Sequence, residues 1–133
     1  MDVEFAVLAD YAAGTNDGKL VVGGIFDTLH VARLPASHPL MTVAVRIRAH
    51  PGEEGSHRVR VRVVDPDGEE IVPSMDAEVT LPTLDPSEGG TAQIVMQIAG
   101  ARFAKAGRHG VDVFVDGRFE RTILLSVQIS EPA

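Results

Sequence analysis

Three features of this sequence predict an all-β fold, built as a two-layer antiparallel β-sandwich of immunoglobulin-like or related type. Polarity alternates with period two from end to end, while helical i, i+3, i+4 spacing is sustained nowhere, so little helix is expected. Turns rich in Gly, Pro, Asn and Asp recur between short apolar runs and divide the chain into about nine strands. Its 133 residues suit a single β-sandwich domain spanning 1–133.

The first strand sets Val3, Phe5, Val7, Ala9 and Tyr11 on one face, with Glu4, Ala6, Leu8 and Asp10 on the other. Thr15-Asn16-Asp17-Gly18 then turns the chain. Leu20 to Phe26 is almost wholly apolar, the pattern of a central strand covered on both sides, and Gly23-Gly24 marks a bulge or a close backbone approach. Thr28 to Leu34 continues as a short strand. In Pro35-Ala36-Ser37-His38-Pro39 each proline removes a ladder donor and restricts its predecessor, so this segment reads as a crossing between sheets.

Met41, Val43, Val45 and Ile47 alternate with Thr42, Ala44, Arg46 and Arg48. After a Gly-containing turn, Val59, Val61 and Val63 alternate with Arg58, Arg60 and Arg62. The two runs read as one long hairpin in which Ile47 opposes Val59 and Val45 opposes Val61, so that Arg48 meets Arg58 and Arg46 meets Arg60. Asp65-Pro66-Asp67-Gly68 makes a tight turn, followed by short strands at Glu70 to Val72 and Met75 to Leu81. Pro82 to Gly90 is the longest polar connection. Ile94, Met96 and Ile98 turn inward, Ala99 to Ala106 reads as a connection with at most one helical turn, and Val111, Val113 and Val115 lead through an Asp116-Gly117 hairpin into Phe119 to Ile129.

With 12 Lys and Arg against 19 Asp and Glu, the net charge of -7 opposes phosphate backbones and anionic lipid. Nucleic acid and membrane are therefore not expected partners. The absence of Cys removes disulfides, thiolate nucleophiles and thiolate metal sites together. Met1-Asp2-Val3-Glu4 carries acids where an export signal carries basic residues, and no run reaches the roughly 18 apolar residues of a membrane span, so a cytoplasmic location is expected.

Several motifs resemble functional sites and fail on their chemistry. Ala13 to Lys19 has nearly the spacing of a phosphate-binding loop, but Leu20 stands where a magnesium-binding hydroxyl belongs and no helix follows. Asp65 to Glu70 concentrates carboxylates without the alternate ligand positions or the later Glu of a calcium loop. Histidines at 30, 38, 50, 57 and 109 show no zinc-ligand spacing, although His50 and His57 could meet across their hairpin. Ser56-His57 is a neighbour pair on a strand, where adjacent side chains point apart, and no Gly-x-Ser-x-Gly elbow exists. No catalytic residue, cofactor or metal is expected. His109 reads as a corner residue hydrogen-bonded to backbone.

The most specific feature is the arginine row. Like charges set side by side on one sheet face destabilise it, so Arg46, Arg48, Arg58, Arg60 and Arg62 require an anionic neighbour. Asp76 and Glu78 could supply it from an adjacent strand; alternatively an acidic partner protein docks there through bidentate contacts. The expected function is a non-catalytic protein-interaction or assembly module, with self-association as a homodimer through open sheet edges also expected. The alternative is a small ligand-binding protein or hydrolase with a site built from the 35–39 and 82–90 loops.

The run Phe5-Ala6-Val7-Leu8-Ala9-Asp10-Tyr11-Ala12, then Asp17-Gly18-Lys19-Leu20, Gly24-Ile25-Phe26-Asp27, and Pro35 with His38-Pro39, resembles a family of small bacterial proteins of unknown function. The likeness extends to the Gly107 to Gly117 segment. It implies a compact β-sandwich from a bacterium and carries no catalytic residue across. Within the same segment, Asp10, Lys19 and Asp27 are charged groups at strand ends in apolar surroundings, which suggests an ion pair locking the register. A ligand pocket around Asp10, Tyr11 and Lys19 is the functional alternative.

Overall fold

The computed structural model describes residues 1–82 and 84–130. These form nine β-strands and no helix. β1 (Asp2–Gly14), β2 (Leu20–Ile25), β4 (Ala36–Ala49) and β7 (Gly90–Phe103) make a four-stranded sheet in the order β2-β1-β4-β7. β3 (Thr28–Val31), β5 (Gly55–Val64), β6 (Met75–Leu81), β8 (Gly107–Val115) and β9 (Arg118–Ile129) make a five-stranded sheet in the order β3-β9-β8-β5-β6, which curls. The pairings are antiparallel except that of β3 with β9.

The expected β4–β5 hairpin does not form. β4 pairs with β1 and β7, whereas β5 pairs with β6 and β8, so the His50 to Glu54 connection crosses from one sheet to the other. Alternation alone cannot distinguish these arrangements, because valines that would lie side by side in a hairpin are equally satisfied on two separate sheets sharing one interior. Val43, Val45 and Ile47 from one sheet join Val59, Val61, Val63, Val111 and Val113 from the other in a single buried cluster closed by Phe103. The Ala99 to Phe103 stretch, expected as a connection, continues β7 as strand because Ala101 and Phe103 both land in this core. Glu70 to Val72 is not a strand; Glu70 makes only an isolated bridge with Val64.

β1 departs from simple alternation. A register shift between Val3 and Phe5 adds a residue to β1, so the core face passes from Val3 to Ala6 and Leu8, and Leu8 rather than Val7 is fully buried. Beyond Ala9, paired with Thr42, β1 leaves β4 and continues with β2 alone, from Tyr11 opposite Gly23 to Gly14 opposite Leu20. The Gln93 side chain of β7 donates to Gly18 O at 3.0 Å, which places the hairpin tip back over the outer face of its own sheet. Thr42 and Ala44, on the opposite parity from Met41, Val43 and Val45, are accordingly buried too. β2 is an edge strand and not the central strand its apolar composition suggests; Val21 is 49% and Ile25 63% exposed.

Residues 32–35 do carry the chain between sheets, from β3 to β4. Pro39, however, lies inside β4, at a point where β4 is paired only with β7 and the ladder resumes on both sides through His38–Ala101 and Leu40–Ala99.

Candidate functional site

Separating β4 from β5 divides the arginine row. Arg46 and Arg48 lie on the outer face of the four-stranded sheet, where Glu4 faces both guanidinium groups at 3.4 and 3.6 Å. Arg46 also donates to Gln93 Oε1 at 2.8 Å and Thr91 Oγ1 at 3.3 Å, so its donors are largely committed. These two residues form no surface with the other three.

Arg58, Arg60 and Arg62 remain together on the outer face of the five-stranded sheet and line a groove of about 700 Å³. The register sets Arg60 opposite Asp76 and Arg58 opposite Glu78, the acidic strand that the alternation identified. Arg60 holds Asp76 in a fork, Nε to Oδ1 at 2.7 Å and an Nη2 contact to Oδ2 at 3.2 Å, and this hydrogen bonding keeps the Asp76 carboxyl below its ordinary value. Arg62 donates to Asp112 Oδ2 at 3.1 Å and lies 5.4 Å from the centre of the Phe114 ring, which in turn meets Phe119 edge to face at 5.8 Å. Glu78 accepts a hydrogen bond from Ser56 Oγ. The Arg58 guanidinium has no carboxylate within ion-pair distance among the described residues.

His57 and Asp116 also line the groove. The ring Nδ1 lies 2.6 Å from Asp116 Oδ2 and Nε2 lies 2.7 Å from Glu53 O; both neighbours are acceptors, so the ring is held as imidazolium. The Asp116 hydrogen bond, then that of the Glu53 carbonyl, raises the His57 pKa, and the same contact lowers that of Asp116. Asp116 Oδ1 also accepts the Arg58 backbone N–H at 3.0 Å, tying the β8–β9 turn to β5. With both ring nitrogens committed and Ser56 turned to Glu78, this histidine has no free base for a nucleophile.

The remaining sequence candidates do not converge. Lys19 pairs with Asp17 at 3.3 Å in the hairpin turn, Asp27 accepts from Thr28 Oγ1 at 3.0 Å, and Tyr11 is 58% exposed. Lys19 and Asp27 flank opposite ends of β2, so the expected Asp10, Lys19 and Asp27 ion pair is not assembled, and Tyr11 lies opposite Gly23 on the β1–β2 ladder. Nor can the 35–39 and 82–90 loops build one site. Ala36 pairs with Phe103 and Ala49 with Gly90, so the loops lie at opposite ends of one ladder, roughly 40 Å apart at about 3.3 Å per residue. Thr83, within the second loop, lies outside the described residues.

The histidines are dispersed. His50 meets Asp2 at 2.8 Å and not His57, His30 meets Ser130 at 3.0 Å, and His38 packs near Phe26. His109 is buried in β8 rather than at a corner, with Nδ1 3.1 Å from Gly107 O and its ring edge-on to Phe103. In the 65–70 turn, Lys105 engages Asp65 and Asp67, the backbone N–H groups of Asp67 and Glu69 donate to Asp65, and Glu70 accepts from Ser74 Oγ. Among the described residues no cluster of His, Asp or Glu could hold a metal ion, and no helix is long and apolar enough to cross a membrane.

A family model, a family of unknown function named DUF6941, matches residues 4–128. The chain belongs to this family. No curated protein matches the chain. Among solved structures, a Pseudomonas fluorescens alkylpurine DNA glycosylase bound to DNA containing an abasic-site analogue is similar in fold, with a TM-score of 0.50 at 12% identity. The similarity covers 92% of this chain and 30% of the glycosylase, so the family member described here corresponds to under a third of that protein.

Proposed function

We propose that this protein is a non-catalytic, protein-binding module that docks an acidic segment of its partner in the groove on the outer face of the five-stranded sheet. The observation that carries the reading is Arg58. Its neighbours Arg60 and Arg62 hold Asp76 and Asp112, while the Arg58 guanidinium stands in the groove with its donors uncommitted to any carboxylate among the described residues. A partner carboxylate can take that fork in bidentate geometry, with the exposed edge of the Phe114–Phe119 pair offering apolar contact beside it. β5, which carries the three arginines, is paired on both sides by β6 and β8, an arrangement that lowers the ordering cost of recognition.

The reading includes an immunoglobulin-like sandwich, supported by a core that draws on both sheets, and a bacterial cytoplasmic setting, in which a fold free of Cys needs no oxidising compartment. Partner capture compared between charge-reversal variants tests it. Arg58→Glu is expected to lose the partner that the unaltered chain retains, Arg48→Glu on the other sheet to keep it, and added salt to weaken the interaction steeply. Equal retention by both variants would remove the groove from consideration.

A further inference from the structure

β7 ends the four-stranded sheet, and one side of it has no strand partner among the described residues. Which peptide groups face that side follows from one hydrogen bond and the ladder registers. Phe26 N–H donates to Leu8 O at 3.0 Å, so Leu8 points its peptide groups toward β2 and its neighbours Val7 and Ala9 point theirs toward β4. Their partners Ala44 and Thr42 face β1, which turns Val43 and Val45 to β7, where they meet Met96 and Ile94. Val95 and Gln97 therefore face outward, and because the β4–β7 ladder is unbroken from Gly90 to Ala99, Thr91, Gln93 and Ala99 do as well.

Edge strands are ordinarily blunted by charge, proline or short length. β7 has none of these over this stretch: Gly90 to Ala101 contains no charged residue and no proline, within a strand of 14 residues. We propose that this edge pairs with the same edge of a second copy of the chain, antiparallel about a two-fold axis at Val95. That register lays the uncharged stretch on itself over nearly its full length, Gly90 against Gly100. It matches outward peptide groups throughout, Thr91 with Ala99, Gln93 with Gln97 and Val95 with its own counterpart. It also brings Arg102 of each copy beside the Asp85 to Gly89 turn of the other, where Glu88 is exposed. Opposite charges thus close both ends of an otherwise uncharged interface, a complementarity specific to a second copy, and the two-fold operation terminates the assembly at a dimer. The pairing is independent of the arginine groove, which lies on the other sheet.

Sedimentation velocity with three substitutions tests the proposal. The unaltered chain is expected to sediment as a dimer. Val95→Pro removes an N–H that no strand of its own chain uses, so the variant is expected to keep a β-type circular dichroism spectrum and sediment as a monomer. Arg102→Glu is expected to weaken association about tenfold, and Arg102→Glu with Glu88→Arg to restore it. Because the chain contains no Cys, Val95→Cys reports the register directly: hydrogen-bonded antiparallel partners sit about 5.5 Å apart at Cα, within disulfide reach, so mild oxidation is expected to yield a covalent dimer. A Val21→Cys control on the β2 edge is expected to remain uncrosslinked. A chain monomeric at every concentration overturns the proposal, as does crosslinking through Val21 and not Val95.

Discussion

Asp116 does three things from one turn position. It adopts φ 50 in the β8–β9 hairpin, accepts the Arg58 backbone N–H, and holds His57 as a cation. Asp116-Gly117 was legible in sequence as a hairpin; its partners were not, because they lie 58 and 59 residues away on a strand whose neighbour had to be known first. The pair has a definite pH signature. His57 has a folded pKa raised from 6.5, so its contribution is complete below that value and is lost as pH rises through the raised one. Asp116 has a folded pKa lowered from 3.8, so its contribution is complete above that value and is lost as pH falls through the lowered one. The pair therefore stabilises fully between pH 3.8 and 6.5, and urea midpoints are expected to fall as pH rises beyond that window. His57→Gln is expected to flatten this alkaline slope; an unchanged slope would show that the ring is not held as a cation.

At the scale of elements, most strands and the neighbours joined by tight turns were readable, and the pairings of β4 with β1 and β7 were not. The bulge after Val3 leaves no mark in the sequence, since Phe5, Ala6, Val7 and Leu8 are all apolar and either parity satisfies a core. Leu20 to Ile25 reads as a buried strand by composition yet lies at an edge, because the hairpin it belongs to folds over the sheet instead of being covered by another layer. The β6–β7 connection is fixed by Gly89. Its φ of 75 disfavours any side chain, and an added Cβ would collide with the Ala49 carbonyl oxygen at the end of β4. Gly52, at φ 91, has open space around the same position. Gly52→Ala is thus expected to cost about 1 kcal/mol of backbone strain and Gly89→Ala at least about 2 kcal/mol, compared by urea denaturation. Equal losses would mean that β4 yields freely at Ala49.

For the whole molecule, the period-two pattern identified the valine interior of β4, β5 and β8 and missed the inward face of β1, the exposure of β2 and the division between sheets. Val59, Val61 and Val63 are buried as the alternation requires, and Arg58, Arg60 and Arg62 are turned outward against Asp76, Glu78 and Asp112. What alternation could not convey is that Met41 to Ala49 and Gly55 to Val64 belong to different sheets, so that five arginines become a pair sharing Glu4 on one sheet and a group of three on the other. The proposed function rests on that division. Backbone amide chemical shifts followed by NMR during titration with an oligo-glutamate peptide test it most directly. Salt-sensitive shifts are expected to be confined to Arg58, Arg60, Phe114 and Gly117, with Arg46 and Arg48 unmoved; shifts centred on Arg46 and Arg48, or none in the groove, would rule the groove out.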